Sequence, residues 1–177
     1  AKKTLKIIQE VLMDKKKIFT AWQLNERHYG ALTGLSKIEM SKKIGEDKVR
    51  EFRRSWDIRP DALDKNSPFH PINIEAYKKI PKQLLPDTES LQDTYIRVLK
   101  YYEDEIKEKL KKKNVLISAH GNSIRALCKN LLNLDNNQIS KLEIPTGNPL
   151  VIQLNSLSKI DNCKYLNKDR ANDLLIF

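Results

Sequence analysis

Two short stretches hold most of the reactive side chains of this 177-residue chain. The first, Asn25-Glu26-Arg27-His28-Tyr29-Gly30, supplies a carboxylate, a guanidinium, an imidazole and a phenol. The second, Val115 to Leu127, carries His120-Gly121-Asn122 at its centre. Lys37, Arg53 and Arg54 add further cations. A glutamate near a ligand can move a proton. Cations with fixed donors bind phosphate and carboxylate, and arginine does so bidentately. Phosphoryl transfer needs this combination of charge stabilisation and a proton acceptor. Each residue also has a plainer reading. Glu26 and Arg27 could be a surface ion pair worth little, His120 a capping or core histidine at a tight turn, and Tyr29 core filling. Arg53 and Arg54 are adjacent, so they point about 100° apart on a helix and reach one ligand only across the helix end.

The elements that must position these residues are legible in outline. Val115-Leu116-Ile117 begins an apolar, β-branched run that reads as a buried strand. The chain then turns at His120-Gly121. Asn122 or Ser123 can cap a helix there, and Ile124, Leu127, Cys128 and Leu131 recur at helical spacing. His120 therefore falls where a strand gives way to a helix, the place where ligands bind in an open α/β sheet. A helix N-terminus there offers free N–H groups to an anion. Ile18 to Leu24, with Ile18, Phe19, Trp22 and Leu24, reads as another strand, followed by a glycine-punctuated loop from Asn25 to Gly34.

Around this frame, Leu5, Ile8, Val11 and Leu12 predict an amphipathic helix at the start. Ser36 and Glu39 form a capping box, Gly45 ends that helix, and a second helix carries Val49, Phe52, Arg53 and Arg54. From Trp56 to Pro86 four prolines, Pro60, Pro68, Pro71 and Pro81, precede Pro86 itself. A long irregular segment of this kind is usually a lid or binding loop, and His70 within it is expected to be solvated. Leu91, Tyr95, Val98, Leu99, Tyr102, Ile106 and Leu110 trace one apolar stripe of a long helix, with both tyrosines in the core. Asp135 caps a short helix through Leu142, Pro145 to Pro149 is a turn, and Leu150 to Leu154 is a strand. The polar tail from Ser156 is expected to be the least ordered part. No repeat or linker divides the chain, which reads as a single α/β domain spanning 1–177.

Composition narrows the classes. Apolar residues make up 40% and charged residues 32%, which is globular and not disordered. The net charge of +10 admits nucleic acid, an anionic membrane or small anionic ligands. The lysines are scattered, with short runs at 15–17 and 111–113, and there is neither zinc-finger spacing nor aromatic–basic interleaving. Nucleic acid and membrane are therefore not the expected partners, and no run is apolar enough to span a bilayer. Cys128 and Cys163 form no disulfide framework, which fits a reducing cytoplasm. His28, His70 and His120 show no metal-ligand spacing.

The ordered blocks Asn25-Glu26-Arg27-His28-Tyr29-Gly30-Ala31-Leu32-x-Gly34-Leu35, Arg53-Arg54, Thr88-Glu89-Ser90-Leu91, Ala119-His120-Gly121-Asn122-Ser123-x-Arg125-Ala126-Leu127 and Ile144-Pro145-Thr146-Gly147-x-Pro149-Leu150 closely resemble the cofactor-dependent phosphoglycerate mutases of the histidine phosphatase superfamily. The resemblance runs to about Leu154. It implies a three-layer fold with a mostly parallel sheet flanked by helices. It implies interconversion of 3- and 2-phosphoglycerate through a phosphohistidine, primed by 2,3-bisphosphoglycerate, with no metal. By similarity, Glu26 matches the proton donor and acceptor, and His120 the second pocket histidine that supports the phosphoryl group. Arg27, Tyr29, Lys37, Arg53, Arg54, Gly121 and Asn122 match positions that hold phosphate or carboxylate. The implied partners are small phosphorylated three-carbon acids, with a homo-oligomer left open. The family's acceptor histidine lies in an Arg-His-Gly motif on its first strand, and no Arg-His-Gly occurs here. The chain is therefore expected to be N-terminally incomplete, without that first strand, and inactive by itself. Bisphosphoglycerate mutase or phosphatase activity, or a non-catalytic pseudoenzyme, are the alternatives.

Overall fold

A computed structural model describes residues 1–171. Helix α1 spans Lys2–Val11 and buries none of its residues. The chain then runs without regular structure to a 3-10 turn at Trp22–Leu24 and another at Gly30–Leu32. Helix α2, Lys37–Ile44, starts on the expected capping box: the Ser36 hydroxyl accepts from Glu39 N at 3.2 Å, and Ser36 N donates to the Glu39 carboxylate at 2.7 Å. Gly45 separates it from α3, Glu46–Arg54. Met40, Val49 and Phe52 bury the inner faces of this pair against Leu32.

The proline segment contains three more 3-10 turns, at Pro71–Asn73, Glu75–Tyr77 and Lys82–Leu84. The long helix then begins. Ser90 and Asp93 close a capping box at its start, with Asp93 N donating to Ser90 Oγ at 3.1 Å and Ser90 N donating back at 2.8 Å. It runs as α4, Leu91–Tyr101, through a π-helical stretch at Tyr102–Ile106, into α5, Lys107–Leu110. Lys100–Asp104, Lys107–Glu103 and Lys109–Glu105 ion pairs line its outer face. These exposed pairs contribute little each.

Helix α6, Gly121–Leu131, packs on α4 through Val98, Tyr102, Ala126 and Leu127. Helix α7, Asn136–Lys141, is capped by Asp135, which accepts from Gln138 N at 2.7 Å. A second apolar cluster joins Leu91, Cys128, Leu134, Ile139 and Leu142 beneath α7. Strand β1, Leu150–Leu154, pairs antiparallel with β2, Ile160–Tyr165. Tyr165 is 2% exposed, and its hydroxyl donates to the Glu143 carbonyl.

Three expectations are corrected. Ile18 to Leu24 is not a strand, since residues 18–21 have no regular structure and Trp22–Leu24 is a 3-10 turn, and Val115 to Ala119 is not a strand either. Among the described residues the only sheet is the β1–β2 pair. A strand needs a neighbour to complete its ladder, and no described segment pairs with either run. The described fold is thus a helix-rich α/β arrangement with a small antiparallel sheet. The tail from Ser156 has regular structure, because Ile160 to Tyr165 buries Cys163 and Tyr165 and forms β2. Its last six residues lie outside those described.

Candidate anion-binding active site

The loop after Leu24 is built around one arginine that the sequence did not single out. Arg97, on α4, forks onto Glu89, with Nε to Oε1 at 2.7 Å and Nη2 to Oε2 at 2.9 Å. It also donates to the backbone carbonyls of Gln23 at 2.5 Å, Asn25 at 3.0 Å and Glu26 at 3.2 Å. Glu89 Oε2 in turn accepts from His28 N at 2.8 Å, and Glu89 N donates to the His28 carbonyl at 2.9 Å. Both charged side chains are nearly buried, at 12% and 5% exposure. The clamp fixes the stretch that presents Glu26, Arg27, His28 and Tyr29.

At the end of that stretch, Gly30 adopts φ +54°, and a Cβ there would stand 2.0 Å from the Asp61 carbonyl oxygen and 2.7 Å from Thr88 Oγ1. Only glycine fits so close an approach. Ala31 N donates to the same Asp61 carbonyl at 2.8 Å, which ties the loop to the proline segment.

The Glu26 carboxylate is held on one oxygen. Oε1 accepts from Arg27 N at 2.8 Å and from Asn122 Nδ2 at 2.8 Å. Asn122 Nδ2 also donates to the Tyr29 hydroxyl oxygen at 2.9 Å, leaving that hydroxyl's own proton to be given elsewhere. Oε2 faces the start of α6, where a Cβ on Gly121 would stand 4.0 Å from it. His120 precedes Gly121, exposed, with its backbone N–H donating to Ser123 Oγ at 3.2 Å. The Ser123 hydroxyl bonds the Leu24 carbonyl at 2.9 Å, which ties the two reactive stretches together.

Glu26, Arg27, His28, Tyr29 and His120 line a single cavity of about 390 Å³. Its far wall comes from the proline segment, including Phe69, Pro71, Ile74 and Tyr77. The expected binding loop therefore closes over the expected reactive residues.

Arg27 is not the surface partner of Glu26. It is 2% exposed, its Nη2 donates to the Phe52 carbonyl at 2.6 Å, and its guanidinium lies 4.6 Å from the Tyr29 ring centroid. Its Nε and Nη1 are buried and have no partner among the described residues. Arginine can only donate, so an anion is the ligand that would satisfy it.

The other predicted residues divide. Arg53 is exposed, 5.9 Å from the Tyr29 ring centroid, whereas Arg54 pairs with Glu143. The neighbouring arginines thus serve different ends, as their angular separation requires. Lys37 stands exposed on α2 and does not line the cavity. Asn122 holds Glu26 by its side-chain amide and Gly121 lies beside Oε2, and neither lines the cavity.

His70 is a correction. It is 1% exposed, with Nδ1 accepting from Ile72 N at 3.2 Å and Nε2 against Asp87 Oδ1 at 3.0 Å. It caps a 3-10 turn and is not solvated, because Asp87 comes back across the loop to meet it. The His28 ring lies 6.2 Å from that of His70, with Nδ1 accepting from Gly30 N at 3.1 Å. Burial, opposed by Glu89 and reinforced by His70, pulls the His28 pKa below the usual imidazole value.

Loop, carboxylate, imidazole and arginine together form a cavity in an α/β protein whose donors suit an anionic ligand and whose carboxylate suits a proton transfer. Comparison with known proteins sharpens that class. Residues 67–158 match the histidine phosphatase superfamily (branch 1). A 2,3-bisphosphoglycerate-dependent phosphoglycerate mutase of Pelagibacter ubique (strain HTCC1062) is 66% identical over 175 residues, which is 98% of this chain and 74% of the relative. The enzymes of that name from Borreliella burgdorferi (strain ZS7) and Borreliella afzelii (strain PKo) are 51% and 52% identical over 149 residues, 84% of this chain and 60% of theirs. This chain belongs to the histidine phosphatase superfamily, within its cofactor-dependent phosphoglycerate mutase family. It spans about three quarters of the length of the first relative and three fifths of the other two.

Proposed function

We propose that the protein is a phosphoglycerate mutase that interconverts 3-phosphoglycerate and 2-phosphoglycerate in the cytoplasm, primed by 2,3-bisphosphoglycerate. The observation that carries this reading is the state of Glu26. One carboxylate oxygen accepts two N–H donors and the other is left for a proton, in the cavity that His120 and the partnerless Arg27 share. Moving a phosphoryl group between neighbouring hydroxyls requires a base that takes a proton from one and returns it to the other.

Each residue then has a task. Glu26 Oε2 takes the hydroxyl proton. Arg27 and Arg53 hold anionic groups of the three-carbon acid, and Tyr29 offers its hydroxyl proton to the same ligand. His120 supports the equatorial oxygens of the phosphoryl group, where developing charge needs donors. The orphaned nitrogens of Arg27 fit a phosphate-bearing cofactor, which supplies the priming phosphoryl group when bound. Lys37 and Arg54 join this set only if the ligand draws them inward from their present positions.

The 177 residues contain no Arg-His-Gly, so the reading takes the acceptor histidine from the additional length its relatives have. By themselves these residues are expected to give no turnover. The same reading includes a mostly parallel, three-layer sheet flanked by helices. The test is to incubate the natural protein carrying this chain with 32P-labelled 2,3-bisphosphoglycerate. An acid-labile, base-stable label on protein is expected, and its absence refutes the reading. Parallel assays of mutase, synthase and phosphatase rates are expected to show the mutase rate dominant.

A further inference from the structure

We infer that Arg125 is a positioning residue for the proton transfer, acting on Glu26 through the side-chain amide of Asn122; the inference rests on the mutase reading above. Arg125 lies one helical turn after Asn122 on α6, and its Nη1 donates to Asn122 Oδ1 at 3.0 Å. A guanidinium can only donate and a carboxylate can only accept. The amide between them has one end of each kind. Arg125 therefore dictates that Nδ2 turns toward Glu26 Oε1 and the Tyr29 hydroxyl. A flipped amide would set its oxygen against the carboxylate and its NH2 against the guanidinium, two repulsive contacts at once.

Arg125 commits both terminal nitrogens to this arrangement, while its Nε is buried without a partner among the described residues. It is 5% exposed, and its Nη2 donates to the Ile139 carbonyl at the core face of α7, which fixes the guanidinium plane. It makes no ion pair with a carboxylate among the described residues. A buried cation without such a partner is costly, and an apolar side chain of similar volume would serve the core better. Burial, with Arg54 and Arg27 nearby, lowers its pKa to about 10, so it stays charged at neutral pH. The consequence reaches the reacting oxygen. With Oε1 occupied by Arg27 N and by an amide of fixed sense, the proton goes to Oε2.

Arg125→Met in the natural protein carrying these residues tests this through a double-mutant cycle with Asn122→Ala. Arg125→Met alone is expected to lower kcat by about ten- to a hundredfold, the scale of a slightly misplaced catalytic group, with KM changed about threefold at most. In the Asn122→Ala background it is expected to lower kcat by a further twofold at most, because the two act as one unit. Arg125→Gln, which keeps an N–H donor for Oδ1, is expected to recover part of the loss and serves where the methionine variant does not fold. Equal losses in both backgrounds, or wild-type kcat in Arg125→Met, overturn the inference. A second readout does not depend on turnover: the Asn122 side-chain amide protons, followed by NMR, are expected to exchange faster in the Arg125 variants. Unchanged protection overturns the inference even where the wild-type protein proves not to be a mutase, so the two readings fail separately.

Discussion

Replacing Arg97 by methionine removes the five-bonded guanidinium beneath the Glu26 loop while keeping an apolar stem of similar length. The change leaves Glu89, whose side chain is 5% exposed, as a buried carboxylate with the His28 N–H at 2.8 Å as its remaining side-chain partner. It also strips a donor from the carbonyls of Gln23, Asn25 and Glu26. Breaking a buried pair from one side costs about 3–5 kcal/mol, because the surviving charge is stranded. Domains of this size hold about 5–15 kcal/mol in total, so Arg97→Met should be folded but fragile. With a urea dependence of about 2 kcal/mol per molar, the midpoint should fall by about 1.5–2.5 M. Removing the stranded charge as well, in Arg97→Met with Glu89→Met, should recover at least about 1 kcal/mol, since apolar replacements of buried pairs are tolerated better than half-pairs. Equilibrium urea unfolding of the three variants measures this directly. A loss under about 1 kcal/mol in the single variant, or a double variant less stable than the single, refutes the clamp.

Two further outcomes concern the same loop. Gly30→Ala meets the Asp61 carbonyl at 2.0 Å and requires a left-handed backbone, so thermal unfolding should show a loss well beyond the ~1 kcal/mol of a typical point substitution. His28 is held neutral by burial, its folded pKa lying below the unfolded 6.5. The stability this carries is fully present above pH 6.5 and is lost as pH falls toward the folded value, where the unfolded chain binds the extra proton. Unfolding midpoints between pH 7.5 and 5.5 should fall less in His28→Gln than in wild type.

The range of each interaction decides which elements the sequence disclosed and which it hid. The capping box at Ser36–Glu39 and the cap at Asp135 are set by residues a few positions apart, and both stand in the structure, where Gln138 completes a second box with Asp135. The long apolar stripe from Leu91 is equally local, and it places Val98 and Tyr102 in the core. Strands are different. Val115 to Ala119 has strand composition, yet a strand exists only where another segment pairs with it, and no described segment does so. The β2 strand escaped notice for the converse reason: the polar run Asp161-Asn162 and Lys164, of which Asp161 and Lys164 are exposed, masks Cys163 and Tyr165, which are buried.

At the site, the Glu26–Tyr29 and His120–Asn122 blocks were legible because reactive types cluster within a few residues. Arg97 was not, since a lone arginine on a helix reads as solvated surface, and Arg125 stood in the second block without a role to mark it. Only the tertiary structure brings Arg97 onto carbonyls more than seventy residues away, and only packing against α7 buries Arg125. His70 became a buried cap because Asp87, seventeen residues on, returns to it.

The most direct test of the central claim is the Glu26→Gln variant of the natural protein carrying these residues, compared with wild type for 3- to 2-phosphoglycerate turnover. Glutamine preserves shape and can still accept a hydrogen bond from Asn122, but it cannot take up a proton. The expected result is a fall in kcat of about 10²–10⁴-fold, the usual worth of a general base, with KM and the thermal midpoint nearly unchanged. A Glu26→Gln protein that turns over within a few-fold of wild type would contradict the assignment of Glu26 as the proton-transferring group and, with it, the account of this site.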